Sequence, residues 1–414
     1  MVLHEKTANW PNAIAHVDCD AFYASCEAVR HPELKGREIC VLSSQNAIVV
    51  AKSYGAKALG VSTGMPVWEA RKVAPQAVFL AADFHYYGQM SEKVFSILRS
   101  YSPGIEVYSI DEAFMDMNGI RRLWRKSFCQ LADDIRLSVW RETGITVSVG
   151  IAGTRTLAKM ASESGKPNGI TVLPQERIRH FLGGMAVTDI PGVGRNRAAL
   201  LHRSGIRTAL SFADLDGGMM QRVMGRSGMQ LKHELSGRSV LPLLLKPVLP
   251  KSVARTASMG QVAGNRDILM AHLSWHVMRL VSELVAKQLL TRRVYLFLTL
   301  ASFERSGIPL SLEVPSNSLR RIMSVIKSGF CSLFRPGQQY RGCGVVAGDI
   351  SRETTATHDL FGLMLSDTRQ TALIQTVNAM NRKYGRRMLL PAAATRVKGL
   401  SGQPRFHYPL LIAY

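Results

Sequence analysis

Two adjacent carboxylates, Asp111 and Glu112, sit inside the run Glu106-Val-Tyr-Ser-Ile-Asp-Glu-Ala-Phe-Met-Asp116. The rest of that run favours β structure, with Val107, Tyr108, Ile110, Phe114 and Met115 as strand formers. A strand that buries one face is a costly place for unpaired charge, and a divalent metal would offset the cost. Neighbouring strand residues also point to opposite faces. Both carboxylates therefore reach one site only if the strand turns or bulges at 109–112. Taken alone, such a pair reads first as solvated acids on a surface hairpin. A second acidic strand changes that reading.

The second strand is Ala13-Ile-Ala-His-Val-Asp-Cys-Asp20. In extended form Ile14, His16 and Asp18 share one face, and Ala15, Val17 and Cys19 the other. It runs into Ala21-Phe-Tyr-Ala-Ser-Cys-Glu-Ala-Val-Arg30, which reads as a helix with Asp20 as its N-cap. Asp18 at a strand end and the remote Asp111–Glu112 hairpin make a three-carboxylate constellation. Oxygen-only ligands suit magnesium, which keeps waters and fills its shell from substrate phosphates. Two such ions about 4 Å apart activate an attacking oxygen and stabilise a leaving one.

The motif His16-Val-Asp-Cys-Asp-Ala-Phe-Tyr-Ala-Ser-Cys-Glu27, with Tyr108-Ser-Ile-Asp-Glu-Ala-Phe114, resembles the Y-family translesion DNA polymerases, the UmuC/DinB group. The likeness continues through Lys166-Pro-Asn-Gly169, Ile190-Pro-Gly-Val-Gly194 and a UmuC-like C-terminal part, so it covers nearly the whole chain. It implies a multidomain α/β (α+β) fold. The palm, ferredoxin-like, would occupy 12–30 and 84–183, and the fingers 31–83. A helix-hairpin-helix thumb would follow at 184–238, a linker at 239–251, a C-terminal α/β little finger at 252–350 and a basic tail at 351–414. It further implies that Asp18, Asp111 and Glu112 are catalytic and hold two Mg2+ ions, with the backbone carbonyl of Cys19 completing one shell. Helix 21–30 would offer the amides of Phe22 and Tyr23 to the triphosphate, and Tyr23 stands at the family's steric gate against ribose. Tyr54 and Lys57 of the fingers, and Lys166 of the Lys-Pro-Asn-Gly turn, would hold the triphosphate. Lys57 stands where the DinB branch usually has Arg, and Ala51 where it usually has Thr. Lys57 matches the UmuC branch, whereas Tyr54 and the His-Val-Asp-Cys-Asp start look more like DinB. Lys lacks the bidentate phosphate contact of Arg.

Charge points the same way. Lys and Arg number 52 against 30 Asp and Glu, a formal charge of +22, which suggests a polyanionic partner, most simply nucleic acid. No basic amphipathic helix stands out to favour a membrane surface. The N-terminal ten residues lack the apolar core of a signal peptide, and the longest apolar stretch, around Val294–Ala301, is too short to span a bilayer. Six scattered cysteines without a Cys-x-x-Cys pair read as reduced thiols of a cytoplasmic protein and argue against a zinc site.

Along the chain, Glu38–Leu42 and Ala47–Ala51 read as short strands, Ser53–Leu59 and Val67–Val73 as short helices. Helices near Tyr87–Tyr101 and Phe128–Thr143, the acidic hairpin and a strand at Thr146–Ala152 complete a β-α-β-hairpin-α-β pattern. Thr156–Ser164 reads as a helix. Asp189–Ile206 reads as a helix-hairpin-helix, in which Gly192 and Gly194 let backbone amides face a DNA phosphate and Arg195, Arg197 and Arg203 flank it. Three prolines mark 239–251 as a linker. Beyond it, Ser252–Gln261, Val294–Ser302 and Arg341–Asp349 read as strands, Ile268–Leu289 and Ser318–Phe330 as helices, in a region rich in arginine. No internal repeat or low-complexity segment is evident.

The reading is a template-directed DNA polymerase that copies damaged DNA, error-prone, by two-metal nucleotidyl transfer. Its partners would be primer-template DNA and deoxynucleoside triphosphates. The resemblance adds a sliding clamp, met through Leu360 and Phe361 of a degenerate Thr357-His-Asp-Leu-Phe361 peptide, a UmuD-like accessory subunit and a recombinase filament. The rivals are another two-metal enzyme on a similar palm, such as a nucleotidyl cyclase, and a catalytically silent DNA-binding accessory protein of the same fold. The first would not need the helix-hairpin-helix; the second need not keep all three carboxylates.

Overall fold

A computed structural model describes residues 10, 12–43, 47–246, 248–355, 367–384 and 389–396. The chain divides into two compact units between Lys246 and Pro247.

The first unit opens with β1 (Ile14–Cys19) and α1 (Phe22–Arg30). The chain then leaves for a small sheet of β2 (Ile39–Leu42), β3 (Val49–Lys52) and β4 (Val78–Ala81), ordered β3-β2-β4, which carries α2 (Tyr54–Ala58) and α3 (Val67–Val73). Cys40, Leu42, Val49, Ala56, Val61 and Ala70 give it a core of its own. This is the segment expected as fingers; β4, parallel to β2, is an element the sequence reading did not contain.

The main sheet is then completed by α4 (Phe84–Tyr101), β5 (Ile105–Val107), β6 (Glu112–Asp116), α5 (Ile120–Trp124), α6 (Phe128–Thr143), β7 (Val147–Ala152), α7 (Arg155–Ser164) and β8 (Ile170–Leu173). Its order is β5-β6-β1-β7-β8. The first four strands run antiparallel, the ferredoxin-like arrangement expected. β8 extends the edge parallel to β7, and neither it nor α5 was expected. The alternation in β1 decides the layering. Ala15, Val17 and Cys19 enter the core beneath α4 and α6, with Val94, Leu98, Leu131 and Ile135; each fully buried aliphatic side chain there contributes about 1.5–3 kcal/mol. Ile14 joins Phe114 on the other face, against Leu157 and Ala161 of α7. Gly150 of β7, opposite His16, lets α7 lie directly on the sheet: a Cβ there would collide with the backbone at Ala158 and Ser162.

The thumb segment contains α8 (Ile178–Gly183), α9 (Arg195–Arg203), α10 (Ala209–Ala213) and α11 (Gly217–Leu235), and shares a core with α7. The element before its glycine hairpin is one 3-10 turn, Val187–Asp189, and not a full helix. The linker also needs correction. Its first half is docked: the Val240 and Leu241 amides donate to Glu234 Oε1 at 2.7 and 3.0 Å, and the Leu244 amide donates to Glu106 Oε2 at 2.9 Å. Prolines stop the segment joining a sheet, and buried carboxylates supply the missing acceptors.

The second unit comprises β9 (Val253–Ala263), α12 (Arg266–Ala286), β10 (Leu289–Leu300), β11 (Arg305–Ser316), α13 (Leu319–Leu333), β12 (Tyr340–Arg352) and α14 (Asp367–Lys383). Its antiparallel sheet is ordered β11-β10-β12-β9. Leu273, Val277, Leu296, Ile326 and Val345 are in its core. β11 was not expected because Gly307 and Pro309 weaken its strand signal; an edge strand tolerates both. Within the stretch expected as a tail, α14 packs on this unit: Ile374 is buried in its core and Asn378 donates to the Ser282 carbonyl at 3.2 Å. Residues 357–361 lie outside the described residues. Among the described residues, no helix is long and apolar enough to cross a membrane, and all six cysteines are free.

Candidate active site

The antiparallel register of β1 and β6 sets Asp18 directly opposite Glu112. Like charges facing each other across a ladder are destabilising, so the pair needs cations. Lys166 Nζ lies 2.7 Å from Asp18 Oδ1 and 2.8 Å from Glu163 Oε1. Lys159 of α7 pairs with Glu112 Oε2. The strand breaks between β5 and β6, where the Tyr108 and Ser109 amides both donate to the Glu112 carbonyl, at 3.0 and 3.1 Å. That turn is the break the sequence demanded. It presents Asp111 beside the strand end, with the Cys19 amide on the Asp111 carbonyl at 2.8 Å and the Ser109 hydroxyl on Asp111 Oδ1 at 2.5 Å. Cys19 sends its side chain into the core, so only its backbone is at the site.

His16 is the fourth group, and its part was not foreseen. It is fully buried, with Nε2 3.0 Å from Glu112 Oε2 and Nδ1 2.6 Å from the Ser162 hydroxyl. A carboxylate accepts only, so Nε2 carries the proton, and Nδ1 faces the Ser162 hydroxyl, whose one proton also has the Lys159 carbonyl within reach at 2.8 Å. One donor atom from each of His16, Asp18 and Glu112 falls within 4.8 Å of the others. Lys159 was missed as well. The available signal was a lysine and Ser162, three residues apart on a helix whose positions between 157 and 161 are otherwise Leu, Ala and Met.

Burial shapes the protonation. It pushes the Asp18 carboxyl up to about 7 despite Lys166, with Asp111 adding to the rise. It pushes Asp111 up too, against the Ser109 hydrogen bond. Burial acts on Glu112 in the same sense, but the His16 hydrogen bond and Lys159 overcome it and hold this carboxyl at about 2. His16 is lowered to about 4 by burial, which keeps it neutral. The donor set fits a divalent cation: the Asp18 and Glu112 carboxylates come together, Asp111 stands in the adjoining turn outside the group of donor atoms within 4.8 Å, and a metal would reverse the preference of buried Asp18 and Asp111 for the neutral form.

A pH dependence follows. A metal held by Asp18 would displace its proton, so apparent affinity for Mn2+, read by spin-resonance titration, should fall by up to about tenfold per unit as pH drops below about 7. Stability runs the other way in metal-free protein. Asp18 has a folded pKa above its ordinary 3.8, so its contribution is present below about 3.8 and lost as pH rises to about 7. Glu112, depressed from 4.5, contributes above about 4.5 and loses that as pH falls towards about 2. Asp18→Asn should therefore raise the Tm of metal-free protein near neutral pH and not near pH 4. Equal shifts at both would contradict the assignment.

Phe22 is buried, and Tyr23 is half-buried against Tyr87 and Phe84. The start of α1 differs from expectation. Ala21, with φ 45, takes the cap position and no side chain caps the helix; the left-handed turn leaves Asp20 facing inward, where it accepts from Ser148 and from the Asn168 amide, both at 2.8 Å. Tyr54 places its hydroxyl 3.4 Å from Asp20 Oδ1, and burial pushes it up to about 12. Lys57 is exposed on α2. In the thumb segment Gly192 has φ +94, a value other residues rarely adopt, and Gly194 opens α9. Arg195 and Arg203 are exposed, whereas Arg197, also exposed, braces the hairpin by donating to the Gly192 carbonyl at 2.9 Å.

Comparison with known proteins agrees with this geometry. The impB/mucB/samB family matches residues 17–163, and its C-terminal domain matches residues 250–360. A DNA polymerase IV of Desulfatibacillum aliphaticivorans is 31% identical over 389 residues, covering 92% of this chain and 96% of that protein. The protein UmuC of Salmonella typhimurium is 28% identical over 383 residues, covering 89% and 90%. Among solved structures, a chimeric Y-family DNA polymerase of Dbh and Dpo4 has the same fold, with a TM-score of 0.68 at 23% identity over 82% of this chain and 99% of that one. DinB from Sulfolobus solfataricus gives 0.56 at 23% identity, over 81% and 98%. The paired acidic strands, the fingers insertion and these full-length similarities agree: the chain belongs to the Y family of DNA polymerases.

Proposed function

We propose that this DNA-directed DNA polymerase extends primers past damaged template, with low fidelity, by two-metal nucleotidyl transfer. The observation that carries the reading is the pairing of Asp18 with Glu112 across β1 and β6, with Asp111 in the adjoining turn. Asp18, Asp111, Glu112 and the Cys19 carbonyl would hold two Mg2+ ions. Bound there, the ions would supply charge neutralisation and activation of the primer 3′-hydroxyl towards the α-phosphate. The protein's own part is positional. Lys159 and His16 orient Glu112; Lys166, Tyr54 and Lys57 meet the triphosphate; the uncapped start of α1 offers the amides of Phe22 and Tyr23 to it. Gly192, Gly194, Arg195 and Arg197 would meet the DNA backbone without reading sequence. The reading is tested by primer extension on undamaged and abasic templates, with and without Mg2+. Metal-dependent extension on both supports it. A metal-free reaction, or synthesis that stops at the abasic site, contradicts it.

Partners beyond DNA and nucleotides follow the UmuC side of the family. A cytoplasmic protein of this kind would work with a UmuD-like subunit and a recombinase filament, and would meet a sliding clamp through Leu360 and Phe361. Replacing both by alanine should abolish clamp stimulation of synthesis and leave basal synthesis within about twofold, as expected for loss of two apolar anchors remote from the chemistry. An unchanged clamp response removes this contact.

A further inference from the structure

Asp20 is 2% exposed, two residues beyond Asp18. An ionised carboxylate is an acceptor only, and it persists in the interior only where donors surround it. The donors here come from separate parts of the fold. Ser148 of β7 gives its hydroxyl to Oδ1 at 2.8 Å, the Asn168 amide donates to Oδ2 at 2.8 Å, and Tyr54 of α2 reaches Oδ1 with its hydroxyl at 3.4 Å. The backbone of Asp20 is fixed as well, its amide on the Thr146 carbonyl at 2.9 Å and its carbonyl accepting from Ser25 at 2.5 Å. The 166–169 turn is held a second time, where the Asn168 side-chain oxygen accepts from Arg136 at 3.0 Å, and Arg136 is paired with Asp133 at 2.6 Å. Lys166 stands at the start of this turn and extends to Asp18.

We infer that Asp20 is a positioning residue for the incoming nucleotide: it ties the Lys166 turn to the end of β1 and gathers Tyr54 of the fingers to the same point. The inference rests on the proposed contacts of Lys166 and Tyr54 with the triphosphate. The two ties differ in strength. The turn is held at 2.8 Å and Tyr54 at 3.4 Å, so the main path runs from Asp20 through the Asn168 amide to Lys166. Tyr54 has one hydroxyl proton. It rests on Asp20, and a phosphate oxygen would compete for it. Asp20 itself touches no substrate in this scheme. It fixes where the lysine ammonium sits, and a displacement of about 1 Å in such a group is enough to change rate and binding substantially.

The test is single-nucleotide primer extension by full-length Asp20→Asn, Asp20→Ala, Lys166→Ala and the Asp20→Ala/Lys166→Ala double variant. Readouts are kcat and KM for deoxynucleotide, primer-template Kd by anisotropy, and Tm. Asp20→Asn keeps size and shape, and serves alone if Asp20→Ala does not fold. Its amide group would point a donor at one of the three donors. KM should rise by about tenfold, the factor for one hydrogen bond to a charged group, with primer-template Kd unchanged. The double variant should show a KM within about twofold of Lys166→Ala, because Asp20 acts through that lysine. A folded Asp20→Asn enzyme with wild-type KM, or singles that multiply fully in the double variant, overturns the inference. So does a fall in kcat that only follows Tm, which a merely structural carboxylate would give. If Lys166→Ala raises KM and Asp20→Asn does not, only the positioning role fails. If Lys166→Ala itself leaves KM unchanged, the triphosphate reading fails and the positioning role with it.

Discussion

Asp111→Ala should abolish primer extension, by on the order of 10³-fold or more, while primer-template binding stays within about twofold. The size follows from what the carboxylate does. It binds DNA nowhere in the proposed scheme, and its work is to hold cations in the state where charge develops. Asp18→Ala and Glu112→Ala should be as inactive, but they differ in what they leave behind. Glu112→Ala strands Lys159 and the Nε2–H of buried His16, and an orphaned buried charge or donor lowers stability. Asp18→Ala leaves Lys166 with Glu163 alone. Among the described residues, no ion pair holds the Asp111 side chain, which accepts from the Ser109 hydroxyl, and burial already opposes its ionisation. Its removal therefore separates chemistry from folding most cleanly. Extension near the wild-type rate by purified, folded Asp111→Ala protein would sink the catalytic assignment. Inactivity accompanied by a large loss of Tm would leave folding and chemistry mixed, and Asp111→Asn, which keeps the shape, would then decide.

How far the sequence reached into this structure depended on the range of each interaction. The alternation in 13–19 divided Ile14, His16 and Asp18 from Ala15, Val17 and Cys19, and the two sets do enter different surroundings, both buried, because a two-residue period is a local property. Two carboxylates in one strand demanded a turn, and a turn is there. Pairing register is not local. That Asp18 lies opposite Glu112 depends on contacts 94 residues apart in sequence, the difference of those two positions, and no spacing rule gives it. Asp20 shows the same limit. As the polar residue before a helix it was read as a cap, and its actual partners lie at 148 and 168. His16 stood on the right face, but its pairing with Ser162 needs α7 to close on the sheet, which hinges on the missing side chain of Gly150. Strands β4, β8 and β11 escaped because they are short or carry Gly and Pro, and pairing with a neighbour outweighs their weak local preference.

Tyr23→Ala should make the enzyme accept ribonucleotides, lowering the ratio of kcat/KM for deoxy- over ribonucleotide by about 100-fold. The structure shows how such a gate would be kept rigid. The Tyr23 ring stacks on Tyr87, centroids 4.6 Å apart and planes 18° off parallel, and Phe84 meets it edge-on at 5.7 Å. Tyr87 is fully buried, and its hydroxyl donates to buried Glu27 at 2.5 Å. Glu27 lies one helical turn beyond Tyr23 on α1, so the backing is anchored to the element that carries the gate. A ring held from behind cannot retreat from a 2′-hydroxyl, and selectivity then comes from a clash in the transition state. If Tyr23 were only a packing residue, the variant would lose stability, up to about 3–5 kcal/mol for a large aromatic, and both sugars would be used less in proportion. Tyr23→Phe separates ring from hydroxyl and should keep the wild-type ratio. A folded Tyr23→Ala enzyme that still rejects ribonucleotides as strongly as wild type would move the gate to Phe22. That ring is 3% exposed in the palm core, so its own alanine variant would have to be scored by the sugar ratio, not by activity alone.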